Sequence, residues 1–338
     1  MAAGDASGLI GTTLTFAAQP RGNRRGLESP RYTLPLLGHD YPALTPAMWN
    51  ACYARFELDV ECVAVVCGSA DLGEVLETLR HDARYLGGGV GVGLKAEVLP
   101  RLDDADAVAR AAGAVNLIRK TAGSRLVGHN TDGDGYARSL EAALQATGGS
   151  LSGQKVLILG AGGTGRAIAL SLARRGADCV VLNRTPGRAA ELAAHVNRLV
   201  GRSACRSGPE AQLRVEASRA GVIVNTSTKG SSGPLEEYSA LAEAPVPVTE
   251  EHVSDNRKAS LSLLASLSRE TIVSDVVLRS GPTPTLALAR GLGFPTLDGV
   301  GMVVHQGVEA FLLVHGDELR AAGVARGDVT AEMEKAVR

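Results

Sequence analysis

The stretch of sequence that decides the fold is Lys155–Gly165, which reads KVLILGAGGTG. Its first five residues, of which the last four are apolar, are typical of a buried strand, and they are followed by Gly160-Ala161-Gly162-Gly163-Thr164-Gly165, a match to the pattern G-x-G-x-x-G. Glycines at such a turn let backbone N–H groups approach a pyrophosphate at the start of the next helix. We therefore predict a dinucleotide-binding unit, and an ordinary glycine-rich connection is the alternative.

The choice of cofactor depends on the end of the next predicted strand, Cys179–Leu182. An enzyme that uses NAD usually carries Asp or Glu there to bind the ribose hydroxyls. This chain has Asn183-Arg184-Thr185 instead. Because no carboxylate repels it, a 2′-phosphate can pair with the Arg184 guanidinium and contact the Asn183 and Thr185 side chains. The pattern predicts NADP, and the alternative is that Arg184 is only a solvated surface charge.

Short apolar runs alternate with amphipathic stretches on both sides of this turn, which indicates an α/β fold with parallel sheets. The predicted helices are Ala47–Phe56, Asp71–Leu79, Asp103–Ala112, Gly133–Ala146, Arg166–Arg174 and Met302–Val314. The predicted strands are Val60–Val66, Gly89–Leu94, Lys155–Leu159, Cys179–Leu182, Gly221–Val224 and Ile272–Val277. The polar segment Gly230–Glu270 is predicted to be irregular, and it either shapes the site, contacts another subunit or lies on the surface.

The composition is that of a globular protein with an apolar core. The 338 residues are 45% hydrophobic, 21% charged and 3% aromatic, with a net charge of −1. A near-neutral charge and few aromatic side chains disfavour binding to nucleic acid or to anionic membranes. No apolar run has the length of a membrane span and residues 1–33 lack a signal-peptide pattern, so we expect a cytoplasmic protein.

The cysteines and histidines show no arrangement typical of a metal site or a disulfide framework. The five cysteines are odd in number and form no C-x-x-C pair. None of the seven histidines lies in a cluster with the spacing of metal ligands. We therefore predict no bound metal.

Three further motifs suggest a family. They are Gly91-Val92-Gly93-Leu94-Lys95, Gly113-Ala114-Val115-Asn116 and Asn130-Thr131-Asp132-Gly133. With the Asn-Arg-Thr run they resemble the shikimate and quinate dehydrogenase family, which has a lysine after a short strand, a G-A-V-N motif and an N-T-D-G motif. The spacings of 21 residues from Lys95 to Asn116 and 16 from Asn116 to Asp132 agree with that pattern. The resemblance covers roughly residues 34 to 316.

The resemblance implies an NADP-dependent alcohol dehydrogenase with two α/β domains and a cleft between them. Residues 34–131 and 302–338 would form the catalytic domain, residues 132–301 the Rossmann domain, and residues 1–33 an extension. Lys95 and Asp132 would handle the hydroxyl proton, a role that a lysine near a carboxylate can perform. Asn116, Gln306 and Thr45 would bind the substrate. Taken singly, Lys95 could be a surface lysine and Asp132 the N-cap of the next helix.

The resemblance also assigns residues to the cofactor. Asn225-Thr226-Ser227-Thr228-Lys229-Gly230 resembles a loop that lies along the cofactor, so Thr226, Ser227 and Thr228 are predicted to contact it. Asp275-Val276-Val277 resembles the strand that reaches the nicotinamide. In the closing segment, Gly299-Val300-Gly301-Met302, the residues Gly299 and Met302 would border the nicotinamide.

The departures from the family pattern lie where the family binds the substrate carboxylate. The S-x-S-P-A-M motif is Ala43-Leu44-Thr45-Pro46-Ala47-Met48 here, so one of its two hydroxyls is lost. Gly91 replaces a threonine and Leu278 replaces a tyrosine of the family. Each hydrogen bond to a charged group is worth roughly 1.5–3 kcal/mol, so shikimate binding should weaken strongly. Arg279 is a candidate for recovering an anionic group.

We therefore predict a shikimate-like cyclic alcohol or ketone whose carboxylate is missing, masked or held differently, and a role in secondary metabolism. One alternative is a genuine shikimate or quinate dehydrogenase. A second is a cofactor-binding regulator without turnover, against which the intact Lys95 and Asp132 argue. The expected partner is a small cyclic hydroxylated molecule, and the chain is expected to be a monomer or a homodimer.

Overall fold

The structure is a computed structural model that describes residues 15–17, 32–38, 43–91 and 93–337. Val92 and most of the predicted N-terminal extension, residues 1–14 and 18–31, lie outside the described residues. By contacts the chain divides into two compact units, Met1–Asp132 with Val303–Arg338, and Gly133–Met302. The first is called unit 1 and the second unit 2.

The strands are β1 (Thr15–Ala17), β2 (Tyr32–Thr33), β3 (Leu36–Gly38), β4 (Val60–Glu61), β5 (Ala64–Val66), β6 (Gly87–Val90), β7 (Asp104–Ala105), β8 (Leu117–Thr121), β9 (Arg125–His129), β10 (Lys155–Leu159), β11 (Asp178–Asn183), β12 (Cys205–Pro209), β13 (Val222–Asn225), β14 (Ile272–Asp275) and β15 (Thr296–Leu297). The helices are α1 (Thr45–Arg55), α2 (Leu72–His81), α3 (Lys95–Val98), α4 (Ala107–Ala112), α5 (Asp132–Gln145), α6 (Gly163–Arg174), α7 (Pro186–Val200), α8 (Leu213–Ala217), α9 (Glu250–Ala265), α10 (Pro284–Gly291), α11 (Gly299–Ala321) and α12 (Arg326–Ala336).

Unit 1 contains a mixed sheet in the order β1-β5-β3-β6-β8-β9-β7. Strands β8 and β9 form an antiparallel hairpin whose register pairs Leu117 with His129 and Thr121 with Arg125. The residue before β8 is Asn116, and the residues after β9 are Asn130 to Asp132. Because the two strands are antiparallel, the hairpin brings these polar residues to the same end of the sheet.

The core of unit 1 fixes α11 against α1. The rings of Tyr53 and Phe311 have centroids 5.2 Å apart, and Trp49 Nε1 donates to Gly307 O at 3.2 Å. A Cβ on Gly307 would lie 3.1 Å from Met48 Cε, so the glycine allows the close approach of the two helices. These contacts fix the position of α11 against α1, and with it the position of Gln306, the neighbour of Gly307.

Unit 2 contains a parallel sheet in the order β12-β11-β10-β13-β14-β15. In chain order this is 3-2-1-4-5-6, the strand order of dinucleotide-binding folds. The last four residues of β10 and all four residues of β13 and β14 are buried, as expected for strands covered on both faces. In this strand order a dinucleotide binds at the carboxyl ends of the strands, where β10 and β13 separate.

Several predicted elements differ from the structure. The strand Val60–Val66 is divided into β4 and β5, which belong to different sheets. The helix predicted from Asp103 begins at Ala107, because the Asp106 carboxylate accepts a hydrogen bond from Ala109 N at 2.6 Å and caps it there. The strand predicted over Gly89–Leu94 is Gly87–Val90.

The prediction that Gly230–Glu270 is irregular is wrong for its second half, which forms α9. Thr249 caps this helix by accepting a hydrogen bond from His252 N at 3.1 Å. Only Asn256, Ser260, Leu263 and Leu264 of α9 are buried. With so few apolar residues on its inner face, the helix has no clear periodic pattern in the sequence.

Candidate active site

Lys95 and Asp132 form an ion pair in unit 1. Lys95 Nζ donates to Asp132 Oδ2 at 2.7 Å and to Oδ1 at 3.0 Å. The Asp132 side chain is 4% exposed and that of Lys95 is 23% exposed, so the carboxylate is enclosed and the ammonium is reached by solvent. The predicted proton-handling residues are therefore in contact, and the lysine is on the accessible side.

Asn116 joins this pair to α11. Its Nδ2 lies 2.9 Å from Asp132 Oδ1, from Thr131 Oγ1 and from Gln306 Oε1. An amide has two N–H groups, so three acceptors compete for two protons. Asn116 Oδ1 accepts a hydrogen bond from Thr131 N at 2.9 Å, which fixes the orientation of the amide. A bound hydroxyl could take up the surplus acceptor.

Local hydrogen bonds position Lys95 and Asp132, each at the start of its helix. Lys95 is the first residue of α3, and its carbonyl accepts a hydrogen bond from Val115 N at 2.8 Å. Asp132 is the first residue of α5, and its N–H donates to Asn130 Oδ1 at 3.1 Å. Asn130 thus bonds the first N–H of α5, while the Asp132 carboxylate contacts Lys95 and Asn116.

The other candidates for substrate binding come from different elements, namely the start of α1 in unit 1 and the loop after β14 in unit 2. Thr45 is the first residue of α1, and its hydroxyl has no hydrogen-bond partner among the described residues. Ala43 packs against the unit 1 core. In unit 2, Leu278 is 47% exposed. Arg279 donates to Gly230 O at 3.3 Å and pairs with Glu236 at 3.2 Å, so it holds the 230–236 loop instead of presenting a free cation.

The glycine turn of unit 2 has one open position and two crowded ones. A Cβ on Gly165 would lie 2.6 Å from Gly160 O, and one on Gly160, whose φ is +119°, would lie 2.9 Å from Thr226 Oγ1. A Cβ on Gly162 would meet nothing within 4 Å. Gly162 is the N-cap of α6, which begins at Gly163 and includes Thr164 in its first turn. Ala161 is buried beside it. Space and unpaired N–H groups at this helix start fit a pyrophosphate.

The end of β11 combines a structural amide with exposed cations. Asn183 Oδ1 accepts a hydrogen bond from Ala161 N at 3.3 Å, and Asn183 Nδ2 donates to Thr185 O at 3.0 Å. Arg184 and Thr185 are exposed. Arg188, in the first turn of α7, is also exposed and was missed in the sequence. No ion pair among the described residues involves Arg184 or Arg188, so both guanidinium groups are available to an anion.

Hydrogen bonds join the loop after β13 to the end of β10, where the glycine turn starts, and to the loop after β14. Thr226 Oγ1 donates to Leu159 O at 3.1 Å, and Ser227 Oγ donates to Asn225 Oδ1 at 2.7 Å. Thr228 is exposed. Val276 N donates to Asn225 O at 3.1 Å, and a Cβ on Gly299 would lie 2.8 Å from Val276 O. Met302 is buried at the end of this unit.

Among the described residues no helix is both long and apolar enough to cross a membrane. The same residues contain no cluster of three or more histidine, cysteine or acidic side chains placed to hold a metal ion. All five cysteines are free and buried.

Comparison with known proteins places both units in one family. Residues 41–118 match the shikimate dehydrogenase substrate binding domain, and residues 141–228 match the shikimate / quinate 5-dehydrogenase model. A shikimate dehydrogenase (NADP(+)) of Moorella thermoacetica is 34% identical over 295 residues, which are 86% of this chain and 90% of the relative.

Solved structures of the same fold include two at 27% identity. Shikimate 5-dehydrogenase of Thermus thermophilus, in complex with NADP(H) and shikimate, has a TM-score of 0.67 and covers 90% of this chain and 99% of its own. The ligand-free 5-ketofructose reductase of a Gluconobacter species has a TM-score of 0.66 and covers 92% and 99%. The predicted α/β class, the dehydrogenase type and the resemblance are thereby confirmed: the chain belongs to the shikimate dehydrogenase family.

Proposed function

We propose that this chain transfers a hydride between NADP and a ring carbon that bears one of several hydroxyl groups, with Lys95 and Asp132 handling the hydroxyl proton. The prediction of NADP as the cofactor is confirmed, because relatives carry NADP(+) in their names and a neighbour is described in complex with NADP(H). When bound, the nicotinamide accepts or returns the hydride.

The observation that carries the proposal is the contact of Lys95, Asp132, Asn116 and Gln306 in unit 1. Oxidation of an alcohol releases a hydride from carbon and a proton from oxygen. Lys95 Nζ, 2.7 Å from Asp132 Oδ2, is the accessible member of the pair and can release a proton to solvent. The resulting neutral amine would receive the hydroxyl proton, and the ammonium that forms is stabilised by Asp132. In the reducing direction the Lys95 ammonium would return the proton to the carbonyl oxygen.

Asn116 and Gln306 would bind a second hydroxyl beside the reacting one. The three acceptors around Asn116 Nδ2 exceed its two N–H groups, so a hydroxyl that donates to the surplus oxygen would complete the network. The substrate would therefore carry neighbouring hydroxyls, as shikimate, quinate and cyclic sugars do.

The substrate carboxylate is the part of the family pattern that we propose to be altered. Ala43 offers no hydroxyl, Leu278 offers an apolar side chain, and Arg279 is paired with Glu236. Thr45 alone retains a free hydroxyl in the corresponding motif. A structural neighbour named for 5-ketofructose, a ketose without a carboxyl group, supports the compatibility of this fold with such a substrate.

The experiment compares substrates with and without a carboxylate. Purified protein is incubated with NADP⁺ and a panel of shikimate, quinate and carboxyl-free cyclic polyols, and with NADPH and 5-ketofructose, while NADPH absorbance is followed. We expect a kcat/KM for shikimate at least about 100-fold below that of the best carboxyl-free compound, the loss expected for two missing hydrogen bonds to a charge. Saturation by shikimate or quinate at micromolar concentration would make the chain a genuine shikimate or quinate dehydrogenase.

A variant that restores two side chains of the family pattern tests whether their loss weakens shikimate binding. Ala43→Ser with Leu278→Tyr returns two groups of the family pattern and should lower the KM for shikimate by about tenfold or more. Ala47→Ser, at an exposed position on α1, is the matched control and should leave it unchanged. A KM that does not respond to the double variant contradicts the proposed cause of the altered specificity.

The alternative of a regulator without turnover remains open to a direct test. Such a protein would bind NADPH but show no hydride transfer with any member of the panel, and Lys95→Ala would leave its cellular phenotype unchanged.

A further inference from the structure

Two loops at the carboxyl ends of β13 and β14 depend on a single buried carboxylate. Asp275, the last residue of β14, is 0% exposed. Its Oδ1 accepts hydrogen bonds from Val277 N and from Asn225 Nδ2, both at 3.0 Å. Its Oδ2 accepts one from Thr283 Oγ1 at 2.7 Å. The carboxylate therefore folds the start of the loop after β14 and ties it to the start of α10.

Asn225 extends this arrangement to the neighbouring loop. It is the register partner of Asp275, and its Oδ1 accepts from Ser227 N at 3.0 Å and from Ser227 Oγ at 2.7 Å. Its Nδ2 also donates to Lys229 O at 2.9 Å. The Asp275–Asn225 pair thus sets the backbone of both the 226–229 loop and the 276–279 loop.

The buried charge is costly to the fold. Burial raises the pKa of Asp275 to about 6, even though four hydrogen-bond donors, the fourth being the Thr285 hydroxyl, stabilise its carboxylate. A neutral side chain in the same place could form hydrogen bonds between the strands without the cost of burying a charge. Groups that lower stability and organise neighbouring loops are commonly found at functional sites.

The strand order shows which half of a dinucleotide these loops would meet. In a 3-2-1-4-5-6 sheet the dinucleotide crosses the switch point between the first and fourth strands, here β10 and β13. Arg184, at the end of β11, lies on the adenosine side. The loops after β13 and β14 lie on the opposite side, where the nicotinamide half would extend.

We infer that Asp275 is a positioning residue for the nicotinamide half of NADP, acting through Asn225 and the 226–229 and 276–279 loops. This inference rests on the proposed site for NADP in unit 2 and adds a role for a residue that touches neither substrate nor cofactor. The competing explanation is that Asp275 only caps α10 through Thr283 and supports the fold.

The test separates the two halves of the cofactor. The probes are NADPH, which reports both halves, and 2′,5′-ADP, which reports the adenosine half alone. For Asp275→Ala we expect an approximately tenfold loss of NADPH affinity, equal to about 1.4 kcal/mol, and a change of less than about twofold for 2′,5′-ADP. Asp275→Asn keeps an acceptor for Val277 N and Asn225 Nδ2, and should restore most of the NADPH affinity.

Glu216→Gln is the matched control, because it also neutralises a buried carboxylate of unit 2. Glu216 lines a cavity beside Lys155 and Asp178, the first residues of β10 and β11, and so lies away from the two loops. The Glu216→Gln variant should have the wild-type affinity for both NADPH and 2′,5′-ADP. If Asp275→Ala does not fold, Asn225→Ala serves in its place with the same expectation.

Three outcomes would overturn the inference: equal weakening of both probes, wild-type affinity for NADPH in Asp275→Ala, or failure of both alanine variants to fold. Failure of the wild-type protein to bind either probe would instead contradict the cofactor site itself, so the two ideas fail in different ways.

Discussion

The two candidate sites are built from different material. In unit 1 the group around Lys95 consists of side chains, since an ammonium, a carboxylate and two amides contact one another directly. In unit 2 the turn at Gly160–Gly165 consists of main chain, and the absence of side chains is what shapes it. A site made of side chains can change its ligand by single substitutions. A site made of main chain changes only if the fold changes.

This difference would account for the departures from the family pattern that the sequence predicts. The predicted departures, at Ala43, Gly91 and Leu278, concern side chains and none of them falls in the glycine turn of unit 2. The cofactor turn keeps its glycines because any Cβ at the crowded positions would collide with backbone. Within one protein, substrate choice can therefore drift while cofactor binding is retained.

The largest expected effect is the loss of turnover in Lys95→Ala. Removing a positioned proton donor or acceptor typically costs 10²–10⁴-fold, so we expect about a 10³-fold fall in kcat. NADPH affinity should be unchanged, because the lysine belongs to the side-chain site of unit 1. Initial rates and NADPH titrations measure the two quantities.

Lys120→Ala is the control, since Lys120 also lies in unit 1 and donates to a backbone carbonyl, Asp82 O, at 2.7 Å. It should keep the wild-type kcat. Full turnover in Lys95→Ala would remove the proton-handling role.

The next effect separates the crowded glycine from the open one. Gly165→Ala places a Cβ 2.6 Å from Gly160 O and should destabilise the protein by about 1–3 kcal/mol, with a roughly 100-fold loss of NADPH affinity. Gly162→Ala should leave the free energy of unfolding unchanged but still weaken NADPH, because its methyl group would occupy the open space next to the helix start.

Gly291→Ala, which also meets nothing within 4 Å, controls for the general effect of replacing an uncrowded glycine by alanine. If Gly162→Ala binds NADPH normally, the pyrophosphate does not approach this turn.

A smaller effect is expected for Arg184→Ala. Loss of one charge-assisted contact should reduce NADPH affinity by about tenfold and leave NADH affinity unaltered, because only NADPH carries the 2′-phosphate. Arg257→Ala removes the same charge from an exposed position of α9 and should change neither affinity. A parallel loss for NADPH and NADH would show that Arg184 does not read the phosphate.

The smallest expected effect is a difference in how the two units respond to acid. Burial lowers the pKa of His315 in unit 1, whose ring is bonded to Tyr53 and Glu318. Its neutral form therefore contributes stability above about pH 6.5 that is lost as the pH falls through the folded value. Asp275 in unit 2 has a raised pKa of about 6, so its contribution is full below about pH 4 and is lost as the pH rises through 6.

Thermal unfolding between pH 5 and pH 7.5 tests this contrast. On acidification, His315→Gln should reduce the fall of Tm by at most about 4 °C, because the wild-type histidine lowers stability as it takes up a proton. Asp275→Asn should abolish a rise of Tm of similar size, which protonation of the buried carboxylate contributes in the wild type. His81→Gln, at an exposed position, is the control. If Tm depends on pH in the same way in all variants, neither His315 nor Asp275 is the source of the pH dependence.

Much of unit 2 is predictable from the sequence because its signals are local. The strand β10, the turn and the helix after it follow one another without a break, and each has its own pattern. Helix α9 is not predictable in this way, since two of its four buried residues, Asn256 and Ser260, are polar. The engagement of Arg279 with Glu236 is also invisible in the sequence, because it depends on the path of the 230–236 loop.

The group in unit 1 is predictable only in part. The motifs name Lys95, Asn116, Asp132 and Gln306, but only the hairpin and the packing of α11 on α1 show that they touch. The role of Asn130 in bonding the first N–H of α5 follows from geometry alone.

The order in which the chain is synthesised gives the α11 contact a further consequence. Lys95, Asn116 and Asp132 are separated by at most 37 positions, so the hairpin can join them soon after they leave the ribosome. Gln306 lies 190 positions after Asn116 and is made only when all of unit 2 has been translated. Domains tend to fold as units during synthesis, N-terminal part first. Unit 1 therefore stays incomplete, with the surface of α1 uncovered, until α11 and then α12 have been synthesised. A chain whose synthesis stops before residue 303 lacks Gln306 and cannot complete the site of unit 1.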